Sequence, residues 1–379
     1  MIFEKTVLMG PTLRIDGVIV LKTGGMSDTT LRVGLVGYGL AGSAFHAPLI
    51  SSTPGLRLAA IVTADPGRRA SAAEAYPDAR LVERAEQLWA APGELDAVVI
   101  ASPNRTHVPL TRAALEAGLP VVVDKPLTRT AAEGAALAAL AAERGLLLTV
   151  YQNRRWDGDF LTARKLVEDG DLGRVLRFES RYERWRPVPK GGWRESGDPA
   201  EVGGLLYDLG SHLVDQALQL LGPATEVYAE VLTRRAGLTV DDDVFVALRH
   251  EGEARSHLWM SALAAAPGPR LRVLGDRGAY VKYGLDVQED ALRAGRLPTE
   301  PGWGEEDPAQ YGVLTDYDGA QRTVPTEPGA YQDFYAGLAA ALRDGGPAPV
   351  DPAGPIAALR VLEAARESAE RGEVVRLPV

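Results

Sequence analysis

From Leu31 onward, short apolar runs alternate with Ala-rich amphipathic stretches, the pattern of parallel β-strands joined by crossover helices. Continuous apolar runs at Leu31 to Val36, Leu56 to Val62, Leu95 to Ala101, Val121 to Val123 and Leu146 to Tyr151 predict strands covered on both faces, because such strands show no alternation. Ala131 to Arg144 is the clearest helix, nearly all Ala and Leu, with Gly145 where a left-handed C-cap belongs. Past residue 151 the segments alternate and carry more Arg, Tyr, Glu and Val, which predicts an antiparallel sheet. Arg174 to Trp185 reads as one strand, Val244 to His250 with Glu253 to Met260 as a hairpin, and Arg272 to Gly275 with Ala279 to Tyr283 as another. Helices are expected at Asp208 to Leu221, Tyr331 to Arg343 and Pro352 to Glu370, and a long surface loop at Leu297 to Pro308. The fold class is therefore α/β, a doubly wound Rossmann domain, followed by an α+β domain with a large open, mostly antiparallel sheet.

At 379 residues the chain fits two domains of ordinary size. The division is 1–30 as an N-terminal extension, 31–150 as a Rossmann domain and 151–379 as the second domain. Arg14 and Asp16 break up the first stretch, and its longest apolar run, Val18 to Leu21, is too short for a signal-peptide core. An extra strand built around Gly17 to Leu21 is the alternative. No apolar stretch approaches the roughly 18 to 20 residues that cross a bilayer. A formal charge of −10 gives no long-range attraction to nucleic acid or an anionic membrane. With no cysteine, disulfides, thiolate metal sites and cysteine nucleophiles are absent together, which fits a reducing, cytoplasmic setting. The five histidines, His46, His107, His212, His250 and His257, form no close ligand motif, so no metal site is expected.

Gly37-Tyr38-Gly39-Leu40-Ala41-Gly42 fits G-x-G-x-x-G and directly follows the first strand. There Gly37 makes the tight turn, Gly39 lets the backbone approach a pyrophosphate, and Gly42 lets the helix pack on the strand, with Leu40 and Ala41 between them at a helix N-terminus. The residue that meets the adenosine ribose should follow about 20 positions later. Thr63 stands there, with Arg68 and Arg69 close behind, so a 2′-phosphate would meet no acidic clamp and NADP is expected, with NAD possible. Asp65 argues the other way, since a small shift of register would make it the ribose acceptor.

Ala101-Ser102-Pro103-Asn104-Arg105-Thr106-His107, Val123-Asp124-Lys125-Pro126-Leu127 and Gly203-Gly204-Leu205-Leu206-Tyr207-Asp208-Leu209-Gly210-Ser211-His212, in this order, resemble the glucose-fructose oxidoreductase / inositol dehydrogenase / MocA (Gfo/Idh/MocA) family. The resemblance covers nearly the whole chain after Met26. Asn153 to Asp157, Trp193 to Glu195 and Tyr280 to Asp286 resemble its subgroup of NADP-dependent scyllo-inositol dehydrogenases. It implies a substrate domain whose antiparallel sheet also makes homo-oligomer contacts, as a dimer or tetramer. Lys125 falls on the family's Glu-Lys-Pro lysine, with Asp124 replacing the glutamate. Asp208 and His212 fall on its aspartate and histidine. Ser102, Asn104 and His107 fall on the loop facing the nicotinamide, and Pro126 fixes the backbone beside Lys125.

Moving a hydride from a secondary alcohol requires a base for the hydroxyl proton. Asp208 and His212 lie four apart, so on one helix they share a face, and histidine's ordinary pKa near 6.5 suits a proton acceptor at neutral pH. His212 is expected as the base, Asp208 as its orienter or as the group that binds a neighbouring hydroxyl, and Lys125 as the cation beside the developing alkoxide. Asn153, Arg155, Trp156, Arg186, Trp193 and Tyr283 supply the donors, acceptors and flat apolar faces that a polyol or sugar needs. Two other readings share the fold: a dinucleotide-binding sensor without turnover, and an enzyme that uses its cofactor transiently to cleave glycosides.

Overall fold

The computed structural model describes residues 30–189, 191–192 and 195–378. The segment with Gly17 to Leu21, and Trp193, lie outside the described residues.

Six strands, β1 (Leu31–Val36), β2 (Leu56–Val62), β3 (Arg80–Val82), β4 (Ala97–Ile100), β5 (Val121–Asp124) and β6 (Leu148–Tyr151), form a parallel sheet in the order β3-β2-β1-β4-β5-β6. All four residues of β4 are buried, as a strand covered on both faces requires. Leu95 and Ala101 are buried too but stand outside the strand, so the apolar run marks burial beyond the paired residues. Helices α1 (Ala47–Ser52), α2 (Pro66–Ala75), α3 (Glu86–Trp89), α4 (His107–Glu116) and α5 (Ala131–Arg144) fill the crossovers, α1 continuing a π-helical stretch at Ala41–His46. In α5, Thr130 and Glu133 form a capping box and Gly145 turns left-handed at φ 63. Strand order reverses beside β1, where β2 and β4 flank it. In such sheets ligands bind outside the C-terminal strand ends at that point.

The second sheet has nine strands, β7 (Val175–Glu183), β8 (Ala224–Leu232), β9 (Asp243–His250), β10 (Arg255–Ser261), β11 (Leu271–Gly275), β12 (Gly278–Lys282), β13 (Gly312–Asp316), β14 (Gln321–Val324) and β15 (Val375–Arg376), in the order β14-β13-β12-β11-β7-β10-β9-β8-β15. The β7–β10 pair is parallel and the other pairs are antiparallel. Alternate residues of β9 are buried, one face toward the core. That face packs against α6 (Gly158–Glu168), α8 (Gly210–Leu221) and α11 (Ala353–Arg371), while α7 (Leu205–Asp208), α9 (Gln288–Arg293) and α10 (Gln332–Asp344) complete the chain.

One expected helix is two. Asp208 ends α7 and His212 lies in α8, with Leu209 between them. In an uninterrupted helix the His212 N–H would donate to the Asp208 carbonyl. Lys125 Nζ donates to that carbonyl instead, at 2.6 Å, and the His212 N–H donates to Leu209 O at 3.1 Å.

Candidate active site

The three fingerprint glycines carry three different steric demands. Gly37 has φ 101, and a Cβ there would lie 2.5 Å from the Ala101 carbonyl oxygen. A Cβ on Gly42 would lie 2.0 Å from Gly37 O, so only glycine lets the helix sit this close to the turn. At Gly39 the nearest atom would be Arg68 Nη1, at 3.8 Å. The protein itself leaves the space over Gly39 open, and a cleft lined by Gly37, Gly39, Leu40 and Ala41 begins there.

The arginines after β2 part company. Arg68 lines the cleft, whereas Arg69 Nη2 donates to Leu81 O on β3 at 3.1 Å. Asp65 caps α2, its Oδ1 accepting the Arg68 N–H at 2.8 Å. Thr63 is buried and its N–H donates to Val82 O, so it meets the sheet edge rather than the cleft lining.

Farther along the cleft, Ser102, Asn104, His107, Lys125 and Pro126 all line its wall. The side chains of two of them are used in holding loops. His107 Nδ1 lies 2.8 Å from Pro126 O and Nε2 2.9 Å from Ser102 O, tying the loops after β4 and β5 together. Asn104 Nδ2 donates to Glu201 O at 2.8 Å, and Arg105 pairs with the Glu201 carboxylate at 3.1 Å, which draws Val202 to Gly204 of the second domain over the cleft.

Lys125 stands at the C-terminal end of β5, in a cis Lys125–Pro126 peptide. Its Nζ is 2.9 Å from Asp208 Oδ1 as well as 2.6 Å from Asp208 O, so one ammonium joins the two domains. Beside it, Asp124 Oδ1 accepts the Lys125 N–H and Oδ2 lies 3.7 Å from His46 Nε2. Burial works to raise the Asp124 carboxyl, but the close approach of His46 and the charges of His46, His107 and Lys125 outweigh it and hold the carboxyl below its ordinary range. His46 Nδ1 meets the Tyr335 hydroxyl at 2.5 Å.

His212 is buried, and its Nδ1 has no hydrogen-bond partner among the described residues. The expected carboxylate orienter is therefore not at that nitrogen. Burial, and then the charges of Lys125, Arg154 and Arg270, push its pKa well below 6.5, so the ring is neutral at neutral pH.

The expected substrate residues divide. Arg155 is locked in a bidentate pair with buried Asp215, at 2.8 and 2.6 Å, and Trp156 packs edge-on against Phe334 at 5.8 Å, so both hold the core. Tyr283, 57% exposed, follows β12, two strands from β7 and away from Lys125. Asn153 opens a half-buried 3-10 turn, and Arg186 is exposed beyond β7. None of these five described residues lines the cleft that holds Lys125. Sequence reasoning missed Arg154, whose guanidinium is buried under the site and bears on His212. It also missed Arg270, bonded to Ser180 Oγ and Gln216 Oε1. Adjacent Arg154 and Arg155 are indistinguishable by type, and only the phase of the 3-10 turn separates them.

Comparison with known proteins agrees with this geometry. The model of the Gfo/Idh/MocA oxidoreductases' NAD-binding Rossmann fold matches residues 31–152, and that of the family's C-terminal alpha/beta domain matches 164–377. The chain belongs to the Gfo/Idh/MocA oxidoreductases. It is 38% identical over 362 residues to scyllo-inositol 2-dehydrogenase (NADP(+)) IolW of Bacillus subtilis, covering 95% of this chain and 99% of that protein. It is 43% identical over 349 residues to the oxidoreductase YdgJ of Escherichia coli, covering 91% and 98%. Among solved structures, the oxidoreductase YvaA of Bacillus subtilis superposes with a TM-score of 0.88 at 37% identity, covering 93% of this chain and 99% of that one. The chain is an enzyme of this family, an NAD(P)-dependent dehydrogenase. Among the described residues no helix is long and apolar enough to cross a membrane.

Proposed function

We propose that this chain transfers a hydride between NADP and a secondary alcohol of a polyol or sugar, with residues 31–150 holding the cofactor and 151–379 the substrate. The observation that carries this reading is the Lys125 ammonium, fixed by Asp208 in a groove that the glycine fingerprint also lines. The cradle fits a dinucleotide. Gly39 presents open backbone, and the helix start at Leu40 and Ala41 directs N–H groups at the groove, where a pyrophosphate would rest.

NADP, when bound, supplies the carbon that accepts or gives the hydride. The chain's own residues handle the oxygen and its proton. His212, buried and neutral, takes the hydroxyl proton during oxidation and returns it during reduction. Lys125 stabilises the negative charge growing on the oxygen, held in line by the Asp208 carboxylate. Because cations depress the proton affinity of His212, proton uptake becomes favourable as that oxygen gains charge.

Arg68 in the groove, Asp65 engaged in capping α2 and the NADP-dependent relative support NADP over NAD. The homo-oligomer reading rests on the outer face of the second sheet, where partly exposed Phe245 and Trp259 lie 5.2 Å apart and the Arg181 guanidinium sits 3.8 Å over Trp259. A dimer or tetramer would cover it. The cysteine-free composition supports a cytoplasmic location.

Absorbance at the nicotinamide band, across inositols, hexoses and their keto forms, tests the reaction. Net cofactor reduction is expected. Product without net reduction would indicate the transient-cofactor chemistry, and binding without either a sensor.

A further inference from the structure

The chain carries a net charge of −10, yet cations gather around His212 and continue outward from it. Arg154 and Arg270 bear on His212, and both are paired, Arg154 with Asp157 at 3.3 Å and Glu289 at 2.8 Å, Arg270 with Asp159 at 3.1 Å. Tyr182 carries the row outward. The Arg154 guanidinium carbon lies 4.8 Å from its ring centroid, and that of Arg184 4.6 Å. Two-residue strand periodicity puts Tyr182, Arg184 and Arg186 on one side of the chain. The charges of Arg184, Arg293 and Glu289 all bear on Arg186. Arg293 is paired with Glu289 at 2.7 Å and lies over Phe45 of the π-helical stretch after the glycine loop, so the row ends against the first domain.

Arg184 and Arg186 differ from the others in one respect. Neither guanidinium has a carboxylate partner among the described residues, although the two charges repel each other. Guanidinium forks match carboxylate and phosphate oxygens bidentately and are worth most where water is partly excluded. We infer that the alcohol whose secondary hydroxyl reaches Lys125 and His212 carries an anionic group, a carboxylate or a phosphate, gripped by Arg184 and Arg186 where the molecule extends beyond the cleft. The inference rests on the proposed hydride transfer and adds the substrate's charge.

The test is calorimetric titration of the NADP-loaded protein at fixed ionic strength with gluconate, glucose 6-phosphate, sorbitol and scyllo-inositol, with turnover of each measured alongside. At least one anion is expected to bind about 10- to 100-fold more tightly than the neutral polyols, the worth of a charge-assisted hydrogen bond. Whether gluconate or glucose 6-phosphate does so identifies the group. Arg184→Met and Arg186→Met should each bring the anion-to-neutral ratio back toward one. Anions that bind no better than neutral polyols, or variants that weaken both classes equally, overturn the inference. Oxidation of neutral polyols without anion selectivity leaves the hydride-transfer reading standing and removes this one. Arginine-dependent anion binding with no oxidation of any compound does the reverse.

Discussion

Alanine at Gly39 separates folding from cofactor binding. The new methyl would meet only Arg68 Nη1 at 3.8 Å, an ordinary contact, and Gly39 has no left-handed φ to forbid a side chain. Restricting the unfolded chain at such a position stabilises a protein by roughly 0.4 to 1 kcal/mol. At about 2 to 4 °C per kcal/mol in a domain of this size, Gly39→Ala should melt level with the wild type or a few degrees above it. Cofactor affinity should behave oppositely, because the methyl stands where a pyrophosphate must approach the backbone. Losing the equivalent of one charge-assisted hydrogen bond, roughly 1.5 to 3 kcal/mol, weakens binding about 10- to 100-fold.

The neighbouring glycines give the contrast. A methyl on Gly42 would press to 2.0 Å from Gly37 O, and one on Gly37 to 2.5 Å from Ala101 O with φ at 101. Both obstacles are main chain, which cannot swing aside, and left-handed strain alone costs about 1 to 3 kcal/mol. Those two variants should lose melting temperature and cofactor binding together. Thermal melts without cofactor and fluorescence titration with NADPH measure the two properties independently. A Gly39→Ala protein that binds NADPH as tightly as wild type would refute the assignment of this cleft to a dinucleotide.

On the proposed mechanism, in which the lysine serves the reacting oxygen, Lys125→Met should bind NADPH normally while turnover falls by roughly 10² to 10⁴; near wild-type turnover removes it from the chemistry. Arg68→Ala should reduce the NADP preference about 10- to 100-fold while Arg69→Ala leaves it unchanged, because only Arg68 lines the groove; steady-state comparison with both cofactors decides. Arg155→Met breaks a buried pair with Asp215 and should cost about 3 to 5 kcal/mol in a melt, with KM unmoved in the folded fraction. For His212, the folded pKa lies below the unfolded value near 6.5, so the unfolded chain binds the proton first. Its contribution is complete above about pH 6.5 and is lost as pH falls through and below that value. His212→Asn should therefore show a smaller loss of melting temperature on acidification than the wild type, and an unchanged loss would contradict a neutral buried ring.

The first domain was legible because its signals are local. A glycine that must clear a carbonyl oxygen, a glycine that ends a helix and a buried strand each leave a mark on neighbouring residues, and Gly37, Gly145 and Ala97–Ile100 all stand where the pattern puts them. β3 was not legible, since an edge strand of three residues with one buried position has no periodicity to read. Thr63 shows the limit of spacing rules. Residue count brings it to the end of β2, where its N–H pairs with Val82 O, but among the residues after that strand it is Arg68 that lines the groove. The substrate side was the least legible. Which of Arg154 and Arg155 faces the site, and which cations lack a carboxylate, depends on partners as distant as Asp215, Glu289 and Arg270, and no local pattern encodes those meetings.

The spacing of Asp208 and His212 has a different meaning from the one it suggests. Four residues apart on a continuous helix they would form a carboxylate–imidazole pair, the carboxylate raising the proton affinity of the ring. Lys125 prevents this by taking the Asp208 carbonyl out of the helical ladder and its carboxylate into an ion pair, which moves the His212 N–H to Leu209 O. His212 is left among Lys125, Arg154 and Arg270, with its proton affinity set by cations and burial. A ring held in that state is a poor resting base. On the proposed mechanism it becomes a competent one when negative charge arrives, whether on the reacting oxygen or on a group gripped by Arg184 and Arg186. Proton transfer would thereby be tied to the presence of substrate, and the charge that completes the site would have to arrive with the molecule it acts on.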